Sequence, residues 1–117
     1  MNKIIFHITT KEDWTKQSGE DSFSASSLED VGFIHCALKH QILRVANSRL
    51  RGKKNLVLLG IREDKLESKL VYEDLSNLNE DHPHVYGPIN MDAITQVVDF
   101  PPDDDGSFSL PEELNNH

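Results

Sequence analysis

The apolar positions fall in short blocks separated by polar turns, and most blocks are too short for anything but strands. Residues 3–8, KIIFHI, predict a first strand with Ile5 and His7 on one side and Ile4, Phe6 and Ile8 on the other. Thr9 stands three residues before Glu12, a capping-box spacing that predicts a short helix to Gln17 with Trp14 as its anchor. Residues 18–24 are polar, contain Gly19, and predict a loop. Ser26 and Glu29 repeat the capping-box spacing, and Gly32 suits the left-handed residue that ends such a turn. Residues 33–37, FIHCA, favour a strand with Phe33, His35 and Ala37 on one face and Ile34 and Cys36 on the other.

The clearest helix covers residues 38–51, where Leu38, Ile42, Val45, Ala46 and Leu50 share a face and Gly52 follows as a stop. Residues 55–61, NLVLLGI, are apolar without a break, as in a strand covered on both faces. Residues 62–67 predict a charged connection. Residues 69–74 predict a strand with Leu70 and Tyr72 opposite Val71 and Glu73. A polar loop at 76–83 leads to a short strand at 84–86, closed by Gly87 and Pro88. One helical turn at 90–93 and a last strand at 94–100 follow. Residues 101–117 are acidic and proline-rich and predict a loosely held tail, with Phe108 and Leu110 as the residues able to dock. Strands and short helices mix without strict alternation, which predicts one α+β domain over residues 1–100 with two small antiparallel sheets meeting at a cleft.

Composition narrows the function. A length of 117 residues suits one domain with a modest core. No apolar run is long enough to span a bilayer and no signal-peptide pattern opens the chain, so the expected location is cytoplasmic and no membrane partner is expected. The single cysteine, Cys36, excludes a disulfide framework and suits a reducing compartment. A net charge of −8 argues against general nucleic-acid binding. The charge is uneven, however. Lys39, Arg44, Arg49, Arg51, Lys53 and Lys54 form an acid-free stretch holding half of the 12 basic residues. Such a stretch is either a solvated helix face or a local field for a small anion.

His7 and His35 stand on otherwise apolar strands, where burial is costly without a partner. Three chemical readings compete with a purely structural or interaction role. His82 and His84, flanking Pro83, can join His7 or His35 around a metal ion, although the spacing matches no common zinc signature. Cys36 can act as a nucleophile with His7 or His84, but alternation turns it away from His35. Histidines can also line a pocket for a polar or phosphorylated ligand, with Tyr86 stacking on a ring.

The set FHIT (residues 6–9), Trp14, GFIHC (32–36), Gln41, LVLL (56–59), Tyr72-Glu73 and PHVYGPI (83–89) resembles domain of unknown function 952, a family of small bacterial and plant proteins. The resemblance spans residues 3–98. It implies a fold similar to the ADP-ribosyltransferases, closest to their RNA 2′-phosphotransferase branch. That branch carries histidines where His7 and His35 stand, and these are the catalytic candidates it implies. Its ligand would be NAD or a related small nucleotide, bound with help from His84, Tyr86, Thr9, Glu73 and Arg44. The implied chemistry is cleavage of the nicotinamide–ribose bond through a cationic ribose. The strand at 84–86 supplies no glutamate, which suits an anionic phosphate nucleophile better than protein ADP-ribosylation. A binding module that has the pocket without the reaction is the alternative.

Overall fold

The computed structural model describes residues 3–75, 77 and 79–114. Eleven regular elements follow one another: β1 (Ile4–Thr10), α1 (Lys11–Gln17), β2 (Ser22–Phe23), α2 (Ser27–Val31), β3 (Ile34–His35), α3 (Ile42–Arg49), β4 (Leu56–Arg62), β5 (Lys69–Glu73), β6 (His82–Tyr86), β7 (Ile89–Asn90) and β8 (Ile94–Asp99). Short 3-10 turns fill several of the connections. This is a small α+β fold, and it contains three antiparallel sheets rather than the two expected: β1-β4-β8, β2-β7 and β3-β6-β5.

The extra sheet arises inside the stretch expected to be a loop. Ser22 pairs with Asn90 and Phe23 with Ile89. Phe23 is fully buried, against Trp14 and His7. Both capping boxes also differ from expectation. Thr9 stays in β1, and Thr10 caps α1 by accepting the Asp13 N–H at 3.0 Å. Ser26 is itself helical and makes no side-chain cap, so α2 relies on Gly32, whose left-handed backbone lets its N–H reach the Leu28 carbonyl. The main helix begins later than its apolar spacing suggests, because the Gln41 side chain accepts the Leu38 N–H and tightens residues 39–41 into a 3-10 turn. Residues 76 and 78 of the loop at 76–83 lie outside the described residues, and His82 and Pro83 already belong to β6.

β4 is buried along six of its seven residues because β1 and β8 flank it and both faces of its sheet are covered. One face carries Ile5, Val57, Leu59 and Ile61 against Phe23, Ile34, Val85 and Ile89. The other carries Phe6, Leu56, Leu58 and Val98 against Ile42 and Ala46 of α3. The segment expected to be loose completes this second face. Phe108 and Leu114 are only 4% and 2% exposed, and the Phe108 ring stacks on Phe100 at 4.7 Å between centroids. Asn47 accepts the Phe108 N–H at 2.7 Å, and Gly52 donates to the Gly106 carbonyl at 2.8 Å. The acidic composition concealed this docking, because the burial rests on isolated apolar residues rather than on a periodic run. Residues 115–117 lie outside the described residues.

Candidate functional site

The site grows from the sheet β3-β6-β5. Its register sets His35 opposite His84, Val71 opposite His84 and Glu73 opposite His82. Alternation therefore sends Ile34, Val85 and Leu70 to the core, while His35, His82, His84, Tyr86 and Glu73 share the other face. Phe33, just before β3, closes over this face. Its ring stacks on His84 at 4.2 Å and 22°, meets His35 edge-on at 4.8 Å, and lies 5.3 Å from Tyr86.

The β1 strand brings the third histidine. Phe6 and Ala37 exchange backbone hydrogen bonds of 2.8 Å, tying β1 to the chain just beyond β3. His7 then donates from Nδ1 to the His35 carbonyl at 2.7 Å. His7, His35, His84, Thr9 and Glu73 all line one cleft of about 670 Å³. Arg49 and Lys53 line it too, as does Arg44.

The expected site residues differ in their setting. His7 and His84 are buried, at 7% and 6% exposed, whereas His35 keeps part of its surface in solvent, so the cost of burial falls most heavily on the first two. The difference follows from strand order: His84 sits on the central strand and His35 on an edge. Tyr86 does not line the cleft. It is 38% exposed and donates its hydroxyl to Glu73. Arg44 is engaged with Glu80 at 3.1 Å, Lys39 donates to the Leu114 carbonyl, and Arg51 donates to the Asp105 carbonyl at 3.2 Å. The basic stretch is thus divided between tail and cleft, with Arg49 and Lys53 free of ion pairs among the described residues.

Electrostatics sharpen the picture. Burial lowers the pKa of His7 and outweighs the bond to the His35 carbonyl. Burial also lowers that of His35, and the nearby His84 ring and Arg49 add to the shift. Glu73 is held below the usual carboxylate range by hydrogen bonds from Tyr86 and from His84 Nδ1, the latter at 2.8 Å. Burial pushes the Cys36 thiol far up, which removes it as a thiolate nucleophile. Among the described residues no three His, Cys, Asp or Glu side chains group so as to hold a metal ion, so the metal alternative finds no ligand set. No helix among them is long and apolar enough to cross a membrane.

The lowered pKa of His7 has a consequence for stability. Between its folded pKa and the ordinary 6.5, the unfolded chain binds the proton and the folded chain does not. Stability therefore falls as pH drops below about 6.5. We expect His7→Gln to flatten this part of a melting-temperature profile, and an unchanged slope would contradict the assignment.

The family model described as "Protein of unknown function (DUF952)" matches residues 8–97. The chain belongs to the DUF952 family. No curated protein matches it. This DUF952 chain is similar to protein CC0527 from Caulobacter crescentus. An X-ray structure of CC0527 has 28% identity and a TM-score of 0.85, over 96% of this chain and 98% of that one. Its solution NMR structure has 28% identity and a TM-score of 0.80, over 97% and 98%.

Proposed function

We propose that the cleft binds a small nucleotide of the NAD or ADP-ribose type. The observation that carries this is the pair of buried imidazoles, His7 and His84, on a cleft that also holds two cations without an ion pair among the described residues, Arg49 and Lys53. The Nδ1 of each ring donates to an oxygen that can only accept, the His35 carbonyl and the ionised Glu73. When neutral, each ring therefore offers its Nε2 as an acceptor. Acceptors suit the hydroxyls of a ribose, and the two cations suit its phosphates. A ligand with hydroxyls at one end and anionic oxygens at the other meets both demands.

The resemblance to the RNA 2′-phosphotransferase branch of the ADP-ribosyltransferase fold points to the same ligand, with His7 and His35 orienting the dinucleotide. Transfer chemistry needs stabilisation of a cationic ribose, and Glu73 supplies a carboxylate in the cleft that the strand at 84–86 does not. Calorimetry with NAD and with ADP-ribose tests the binding. Replacing His7 or His84 with alanine should weaken it by about 1–3 kcal/mol, the range for a lost buried polar contact. No heat of binding at millimolar ligand, or an affinity in both variants equal to that of the unmodified protein, removes the proposal. Nicotinamide release from NAD separates a transferase from a binding module.

A further inference from the structure

We infer that His84 is the proton acceptor of this cleft, oriented by Glu73 and, through Glu73, by Tyr86. The inference rests on the reading of the cleft as a nucleotide site and adds the class of nucleophile, a hydroxyl group or water.

The geometry has three parts. His84 is 6% exposed, and its Nδ1–H points at Glu73 Oε2 at 2.8 Å. The same oxygen accepts the Tyr86 hydroxyl, which fixes the carboxylate from a second side. Phe33, stacked on the imidazole at 4.2 Å, fixes the ring plane. Together these leave the ring one free polar atom. His84 Nε2 has no hydrogen-bond partner among the described residues, yet it is not sealed from solvent, because the only such orphaned side-chain atom among them is Ser27 Oγ. His84 lines the cleft, so this nitrogen is the one available to a ligand.

A structural histidine needs no ionised partner, since a neutral carbonyl satisfies the ring N–H equally well. A proton acceptor does need one. Taking up a proton makes an imidazolium, and a buried imidazolium is costly unless a carboxylate faces its other nitrogen. Glu73 supplies that charge beforehand. His7 is built differently: its Nδ1 meets a neutral carbonyl, so its environment orients the ring without compensating a positive charge. The two histidines divide into an orienting one and a proton-accepting one.

With NAD bound, the step is as follows. A water or ligand hydroxyl gives its proton to His84 Nε2 as its oxygen bonds to C1′ of the nicotinamide ribose. The C1′–N bond breaks, and its electron pair leaves with neutral nicotinamide. The proton then passes from His84 to solvent. A phosphate nucleophile is already anionic and has no use for this acceptor, so the arrangement favours the hydroxyl class.

The test combines a tautomer measurement with turnover on the intact chain. Long-range ¹H–¹⁵N spectra of the ligand-free protein should show neutral His84 protonated on Nδ1. Nicotinamide release at saturating NAD should fall about 100-fold or more in His84→Ala, the lower end of what general base catalysis contributes. Glu73→Gln keeps an oxygen for the Nδ1–H and loses the charge, so it should lower kcat roughly 10-fold or more. Neutral His84 protonated on Nε2 overturns the inference. So does nicotinamide release that is unaffected by Glu73→Gln, or that requires an added phosphate. Binding of NAD without turnover in the unmodified protein also overturns it while leaving the nucleotide reading intact. If NAD does not bind, the nucleotide reading fails instead, and the tautomer alone decides the role of His84.

Discussion

Removing residues 101–117 should lower the melting temperature by roughly 10–20 °C, on the scale of several kcal/mol for a domain of this size. Phe108 and Leu114 cover the face of the main sheet that carries Phe6, Leu58 and Val98. Without them the part of that face not covered by α3 meets water, and the Phe100 ring loses its stacking partner. Deleting one buried phenylalanine side chain costs about 3–5 kcal/mol, and domains of this kind are stable by only about 5–15 kcal/mol. The backbone adds to the effect, because Gly52 loses the Gly106 carbonyl and Asn47 loses the Phe108 N–H. Phe108→Ala in the full chain should reproduce most of the loss. Cooperative unfolding with a melting temperature within about 3 °C of the intact chain, less than 1 kcal/mol, would show that the docking contributes little.

Phe33→Ala should be the most damaging single change within the site. Phe33 is buried and its ring touches His84, His35 and Tyr86. Truncation costs about 3 kcal/mol or more by the lost burial and the cavity left behind. It also removes the ring stacked on His84, which then keeps its bond to Glu73 and its edge contact with His35. Two readouts should therefore move together: chemical denaturation should show lower stability, and nucleotide affinity should fall even where the variant remains folded. Phe33→Leu restores most of the volume but no ring face, so it should recover stability more than affinity. Equal recovery of both would mean that Phe33 serves packing alone.

Much of this fold is legible in local pattern, and the exceptions share a cause. The apolar run at 55–61 announces a strand covered on both faces, and alternation in residues 4–8 places His7 on the side of Ile5. The capping residue of α1 is misplaced by one position, because Thr9 and Thr10 offer the same hydroxyl and the length of β1 decides between them. Phe23 sits alone in a polar stretch, and its burial depends on pairing with Ile89, far along the chain. Phe108 and Leu114 are likewise single residues whose partners lie on another element. In the site, the three histidines are visible as residues that apolar strands rarely carry. Which of them is buried is not visible, since strand order assigns the central position to His84 and the edge to His35. Glu73 is the residue that sequence pattern undervalues most. It looks like an exposed carboxylate at a strand end. Only the antiparallel register, which sets it opposite His82 and diagonal to His84, makes it the partner of an imidazole.

The central claim concerns where a nucleotide binds, and amide chemical-shift mapping with ADP-ribose addresses it most directly. The account predicts that the largest changes cluster at Thr9, Cys36, Arg49, Glu73 and His84, all on the walls of the cleft. Changes centred instead on the small groove beside Lys11, Lys54 and Asp99, or no change at millimolar ligand, would contradict it.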